Sequence, residues 1–163
     1  MIIVLFGVSG AGKTTIGRLL ADDLCWRFYD ADDLHPAANV EKMRSGTPLD
    51  DKDRQGWLLR LRDLIKRTLQ QDQNAVLACS ALKRSYREYL QIDDRVKFVL
   101  LQTDFATIED RLRGREGHFM NTNLLTSQFE ILETSAGTEI VVDAALPLKE
   151  LLPEIKWRLF TKA

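Results

Sequence analysis

The sequence predicts an α/β protein of three layers, with a five-stranded parallel sheet flanked by helices. Short apolar or β-branched runs at 2–6, 27–30, 75–79, 96–101 and 139–143 alternate with longer stretches of helical periodicity, as strands joined by crossover helices do. The first run, Ile2-Ile3-Val4-Leu5-Phe6, leads directly into Gly7-Val8-Ser9-Gly10-Ala11-Gly12-Lys13-Thr14, a complete G-x-x-x-x-G-K-[ST] phosphate loop. The length of 163 residues suits one domain spanning 1–163. No repeat or low-complexity tract interrupts it, and the turn Ser45-Gly46-Thr47-Pro48 is too short for a linker.

Taken in order, the loop after the first strand specifies the P-loop NTPase version of this architecture. Glycine at Gly7, Gly10 and Gly12 lets the backbone curl and turn its N–H groups toward phosphate oxygens at a helix N-terminus. Lys13 is placed to reach the β- and γ-phosphates, and the Thr14 hydroxyl suits Mg²⁺, a hard cation that prefers oxygen ligands. The expected nucleotide-binding set is Gly7, Ser9, Gly10, Ala11, Gly12, Lys13, Thr14 and Thr15. Ile16, Leu19, Leu20 and Leu24 recur at helical spacing behind it.

The second strand ends in Asp30-Ala31-Asp32-Asp33-Leu34-His35-Pro36. Alternate residues of an extended chain share a face, so Asp30 and Asp32 point the same way. Ligands of parallel α/β sheets sit beyond the carboxyl ends of the strands, which puts both carboxylates beside the γ-phosphate. One can hold Mg²⁺ through water while the other accepts the proton of an attacking hydroxyl. Asp32 or Asp33 could instead cap the next helix, as Asp often does.

Farther on, Trp57, Leu58, Leu61, Leu64, Ile65 and Leu69 form one apolar helical stripe, with the neighbouring charges mostly off it. The third strand, ending at Cys79, opens into Ser80-Ala81-Leu82-Lys83-Arg84-Ser85-Tyr86-Arg87. Lys83 and Arg87, four apart, are expected on one helical face where they could hold an anionic substrate group. Arg84 reads as solvated, and Arg54 is a further cation for the substrate or an i,i+4 partner of Asp50. Beyond the helix that starts near Thr103-Asp104, Arg111, Gly114, Arg115, Gly117 and His118 suggest a small mobile lid at about 112–122. Arg111 and Arg115 would close over the phosphates, and closure would exclude water. A last stripe, Leu148, Leu151, Leu152, Ile155 and Leu159, predicts a helix on the sheet, with Pro153 tolerable in its first turn.

Composition narrows the function. With 23 basic against 24 acidic residues the net charge is −1, so no broad nucleic-acid face is expected and any cationic site must be focused. Cys25 and Cys79 match no metal spacing and read as reduced thiols. His35 and His118 lack ligand spacing and are expected to hydrogen-bond. The opening apolar run is too short for a membrane span and has no basic leader, so a cytoplasmic protein is expected. The sequence Asp53-Arg54-Gln55-Gly56 satisfies a D-x-x-G pattern, but no N-K-x-D segment accompanies it, which argues against a nucleotide switch.

The phosphate loop, the D-x-D-x-x-H-P segment from Asp30 with Asn39, Lys42 and Met43, the Gly46-Thr47-Pro48-Leu49 turn, Asp53-Arg54 with Trp57-Leu58, the Cys79-to-Lys83 segment, Tyr86-Arg87 and Gly117-His118-Phe119 together resemble gluconokinases of the shikimate-kinase-like type. The resemblance runs from about Ile2 to Asp143. It implies transfer of the ATP γ-phosphate to the 6-hydroxyl of D-gluconate, with Mg²⁺ as cofactor and often a homodimer. It assigns Asp30 to the metal with Thr14, and gives Asp32 the role of orienting or deprotonating the hydroxyl. Arg54, Lys83 and Arg87 go to the gluconate carboxylate and hydroxyls, with His35, Ser80 and His118 as further substrate contacts. ATP itself is implied by the resemblance; the loop Asp143-Ala144-Ala145-Leu146-Pro147 is a plausible wall for its base. A sister kinase acting on shikimate, a nucleoside monophosphate or another sugar acid would share the same sheet. Two departures stand out: Ala31 replaces a common glycine, which is expected to crowd the substrate, and Gly56 replaces a common proline, which is expected to loosen the start of its helix.

Overall fold

The computed structural model of the chain describes residues 1–113, 122–134 and 139–161. Strand β1 (Ile2–Phe6) is the middle of the sheet, and all five of its residues are buried. It is flanked by β3 (Ala75–Ala78) and β4 (Val96–Gln102), with β2 (Arg27–Asp30) and β5 (Ile140–Asp143) at the edges. Every pairing in the order β2-β3-β1-β4-β5 is parallel. A strand covered on both faces must be apolar throughout, which is why β1, β3 and β4 read as near-continuous hydrophobic runs.

The two-residue period of β1 divides the core in two. Ile2, Val4 and Phe6 face one layer, formed by Trp57, Leu58, Leu61, Ile65 and Leu69 of α3 (Asp51–Gln70) and by Tyr86 and Leu90 of α4 (Arg84–Leu90). Ile3 and Leu5 face the other, formed by Ile16, Leu20 and Ala21 of α1 (Lys13–Leu24), Ile108 of α5 (Phe105–Arg113), Leu125 of α6 (Thr122–Ile131), and Leu151 and Ile155 of α7 (Leu148–Phe160). Between β2 and α3 lie a 3₁₀ turn, Ala31–Leu34, and α2 (Ala37–Arg44).

Local chemistry sets the ends of the elements. Asp50 caps α3 by accepting from the Asp53 N–H at 2.8 Å, and the Asp53 carboxylate accepts from the Asp50 N–H at 2.9 Å, a reciprocal capping box. The Asp50 carboxyl is thus a cap rather than the partner suggested for Arg54. Pro153 does not fall in the first turn of α7. The helix starts at Leu148 after Pro147, so Pro153 is interior and the backbone bond its nitrogen would make to the preceding turn is absent. Cys79 lies one residue past β3, buried, with its N–H donating to the Leu5 carbonyl.

The two departures in sequence have local answers. Ala31 is fully buried and belongs to the core cluster of Trp57 and Leu61, and its carbonyl accepts from the Trp57 indole N–H at 2.8 Å. Its methyl therefore faces the core, not the substrate. Gly56 lies inside continuous α3, and a Cβ there would meet only the Pro36 ring, at an ordinary 3.8 Å. Gly56→Ala is expected to stabilise the fold by about 0.5–1 kcal/mol, because alanine loses less backbone freedom in a helix. The urea midpoint should rise; a fall would show that the Pro36 contact is tighter than described.

Candidate active site

The sheet order sets the carboxyl ends of β1, β3 and β2 side by side, and three chain segments converge there. The first is the phosphate loop. Gly7 has φ +144, and a Cβ on it would stand 2.9 Å from the Leu101 carbonyl oxygen of β4; Gly12 has φ +94 at the cap of α1. Both positions need glycine, the first because backbone fills the space and both because L side chains rarely adopt such φ. The loop then delivers Lys13, Thr14 and Thr15 as the first residues of α1, whose N–H groups have no partner within the helix.

The second segment follows β2. Thr14 Oγ1 donates to Asp30 Oδ2 at 2.8 Å, and Asp30 Oδ1 accepts from the Asp32 N–H at 3.1 Å. One carboxylate thus ties the loop to the strand end and holds the backbone of Asp32. Lys13 Nζ turns back onto the Gly7 and Val8 carbonyls at 3.0 and 2.9 Å. Burial holds the Lys13 ammonium below its ordinary pKa, opposed by the charges of Asp32 and Asp30. Lost hydration and then the charge of Asp30 push the Asp32 carboxyl above its ordinary value, with Lys13 opposing. Asp32 is consequently the more basic of an ordinary carboxylate and itself, the direction a proton acceptor requires.

The third segment follows β3 and meets the start of α3. Lys83 Nζ donates to both oxygens of Asp51 at 2.7 Å, and the Tyr86 hydroxyl donates to the same carboxylate. Burial and that bond raise Tyr86 to about 12, so it remains a phenol. The Arg54 guanidinium and Lys83 Nζ both approach the Tyr86 ring, at 6.0 and 5.7 Å. His35 stacks on Trp57, with centroids 4.7 Å apart and planes at 6°. Burial, and then the charge of Arg54, lower His35 to about 4, so it is neutral near pH 7. The Asn39 amide donates to the Asp53 carbonyl at 2.9 Å and faces His35 Nδ1 at 3.5 Å, which assigns the imidazole proton to Nε2. Ser80, just past Cys79, borders the same segment; the Cys79 thiol is pushed by burial to about 12 and is inert.

Not every expected cation comes to this cleft. Lys83 and Arg87 do not share a helical face, because Lys83 is extended (φ −79, ψ 140) and α4 starts only at Arg84. Arg87 is 3% exposed. Its Nε pairs with Glu139 at 2.6 Å, Nη1 donates to the Ala81 and Leu82 carbonyls at 2.8 Å, and Nη2 donates to the Glu133 carbonyl at 2.6 Å. Its guanidinium also lies 4.6 Å from the centre of the Phe6 ring. Glu133 in turn accepts from the Arg84 N–H at 2.7 Å, so the backbone on both sides of Lys83 is anchored. Arg111 Nη2 donates to the Ala144 carbonyl at 2.8 Å, in the loop after β5. Arg115, His118 and most of the expected lid lie outside the described residues.

Two polar partners escaped the sequence reading. Asp51 is one of two acidic residues in the first turn of α3, and only the fold brings Lys83 and Tyr86 to it. Gln128 of α6 meets Ser9 of the phosphate loop across 119 residues of sequence. Its one signal is a polar side chain in the apolar spacing Leu125, Phe129, Leu132.

The donor set suits a magnesium ion. Thr14 and Asp30 offer hard oxygens 2.8 Å apart, and no group of three or more His, Cys, Asp or Glu able to hold a metal occurs among the described residues. Mg²⁺ commonly takes one or two protein oxygens and completes its shell with phosphate and water.

A glycine-built phosphate cradle, a lysine-threonine pair and two carboxylates at the next strand end define a phosphoryl-transferring kinase of the P-loop class. Comparison with known proteins agrees. Residues 9–136 match the shikimate kinase family profile. A gluconokinase of Gluconobacter oxydans is 49% identical over 141 residues, covering 86% of this chain and 79% of that protein. A crystal structure of a gluconokinase from Sinorhizobium meliloti superposes with TM-score 0.84 at 37% identity, covering 99% of this chain and 96% of the other. A sugar kinase from Janibacter sp. gives TM-score 0.90 at 37% identity, covering 97% and 93%. The chain belongs to the shikimate kinase family, and within it to the gluconokinases. No described helix is long and apolar enough to cross a membrane.

The buried Arg87 and Glu139 pair yields a stability prediction. Arg87→Ala leaves the 6%-exposed Glu139 side chain without its guanidinium and is expected to cost about 3–5 kcal/mol. Replacing both by methionine should recover most of that in chemical denaturation. A loss below roughly 1 kcal/mol in the single variant would contradict a buried strut.

Proposed function

We propose that this enzyme transfers the γ-phosphate of ATP to the 6-hydroxyl of D-gluconate, giving 6-phospho-D-gluconate and ADP. The observation that supports the reading is the contact of Thr14 with Asp30, which joins the phosphate loop to the segment that carries Asp32, while Arg54 and Lys83 gather at the Tyr86 ring past the end of the neighbouring strand. A sugar acid carries a carboxylate at one end and the reacting hydroxyl at the other, matching cations at one side of the cleft and a basic carboxylate at the other.

In this reading the N–H groups of the loop and of the start of α1 hold the phosphate chain. Lys13 leaves the Gly7 and Val8 carbonyls to follow the γ-phosphate. Thr14, and Asp30 through water, would hold Mg²⁺, which supplies neutralisation of phosphate charge. Arg54 and Lys83 receive the gluconate carboxylate, with Ser80 and the Nε2–H of His35 available to hydroxyl groups. Asp32 orients the 6-hydroxyl and takes its proton as the new O–P bond forms and the bond to the ADP oxygen breaks. Arg111 lies by the loop after β5, where the base of ATP would rest. Arg87 acts behind Lys83, holding its backbone, rather than on the substrate.

A coupled ADP-release assay with Mg·ATP tests the proposal against D-gluconate, shikimate, other sugar acids, nucleoside monophosphates and no acceptor. Gluconate-dependent turnover on the order of 1 to 10² s⁻¹ is expected; turnover with another acceptor alone, or without any, would overturn the substrate. Asp32→Asn should lower kcat by about 10² to 10⁴ with the ATP KM nearly unchanged. Because Asp32 must be deprotonated and its pKa is raised, wild-type activity should fall on the acid side above the ordinary aspartate range. That limb should vanish in Asp32→Asn, and undiminished turnover would remove Asp32 from the chemistry.

A further inference from the structure

Leu125, Gln128, Phe129 and Leu132 repeat at the spacing of one helical face. Leu125 is buried in the core, Phe129 packs on Phe105 of α5 at 5.5 Å between centroids, and Leu132 packs against both core clusters. Gln128 is the polar member of this inward stripe. Both ends of its amide go to a single residue of the phosphate loop: Oε1 accepts from the Ser9 N–H at 2.7 Å, and Nε2 donates to Ser9 Oγ at 3.2 Å. A half-buried glutamine loses considerable side-chain freedom when fixed. Here it is fixed by a helix whose own apolar neighbours hold it in place.

The consequence falls on the loop. With Ser9 held, its N–H is directed to α6, and the Ala11 N–H turns inward to the Val8 carbonyl at 3.3 Å. The anion is thereby left to the amides that lead into α1, where Lys13 and Thr14 stand. We propose that Gln128 is a positioning residue for nucleotide binding, holding the first half of the phosphate loop in the shape that receives the phosphates. This rests on the nucleotide reading of the loop, and it adds a residue outside the phosphate-loop motif. Without the tether the loop samples other shapes, and apparent affinity falls by the fraction that remains competent.

The test uses Gln128→Met, which keeps the volume and removes both hydrogen bonds, and Ser9→Ala, which removes only the bond to Oγ. Affinity for Mg·ADP is measured by calorimetry, steady-state constants for ATP and gluconate in the coupled assay, and stability by thermal melting. In Gln128→Met the Kd for Mg·ADP and the KM for ATP should rise about tenfold, the scale of about one net hydrogen bond. The gluconate KM and kcat should stay within about twofold, since the tether touches only the nucleotide side. Ser9→Ala should raise the ATP KM by roughly threefold, a smaller step for the longer bond. Unchanged or tighter nucleotide binding in a folded Gln128→Met protein would overturn the proposal, leaving the glutamine as core filling. If that variant does not fold, an unchanged ATP KM in Ser9→Ala overturns it instead. Failure of the wild-type protein to bind Mg·ADP would contradict the nucleotide reading itself.

Discussion

The constraint on which the site depends is the closeness of two backbones at Gly7. The first strand leaves the middle of the sheet with the Leu101 carbonyl so near that any Cβ at Gly7 would stand at 2.9 Å, and with a φ of +144. Only glycine passes there. Because the chain turns at that point and not a residue later, the loop folds over the strand ends and α1 begins at Lys13. Thr14 then meets Asp30, Asp30 holds the Asp32 backbone, and Asp32, the proposed general base, is tied through Asp30 to the phosphate cradle. Each contact is an ordinary hydrogen bond of about 1 kcal/mol net. Their value lies in placing charged groups that a transferring phosphoryl group must meet.

The cations around the cleft divide by burial, and the division explains their tasks. Arg87 is sealed in the protein with Glu139, and its planar fork spans three carbonyls. A guanidinium suits this because it presents several donors in fixed directions. Lys83, 29% exposed at its side chain, pairs with the 63%-exposed Asp51, a contact that solvent weakens and that a substrate carboxylate can exchange. The rigid pair holds the backbone, and the exchangeable pair is the one proposed to meet the substrate. The neutral imidazole of His35, flat on Trp57, adds a hydrogen-bond donor to this cleft without adding charge.

What could be read in the sequence follows the same physics. The central strands were legible because burial on both faces forces apolar runs, and the phosphate loop because its geometry demands glycine at fixed offsets. Asp30 and Asp32 were legible as neighbours because extended chain alternates. Arg87 was misplaced for the converse reason: the i,i+4 rule holds only inside a helix, and Lys83 sits just outside one. Pro153 was misplaced because the start of α7 depends on how the loop after β5 meets the sheet. The methyl of Ala31 looked like an obstacle until Trp57, twenty-six positions away, showed which way it points. Gln128 and Asp51 carry polar partners set by tertiary contact, so a single sequence marks them only faintly.

The most direct measurement is a crystal structure of the protein with Mg·ADP and D-gluconate together. The gluconate 6-hydroxyl is expected about 2.6–3.2 Å from the Asp32 carboxylate, the metal on Thr14, and the gluconate carboxylate at Lys83 and Arg54. A gluconate bound with its hydroxyl end away from Asp32, or with its carboxylate on the Asp30 side, would contradict this placement.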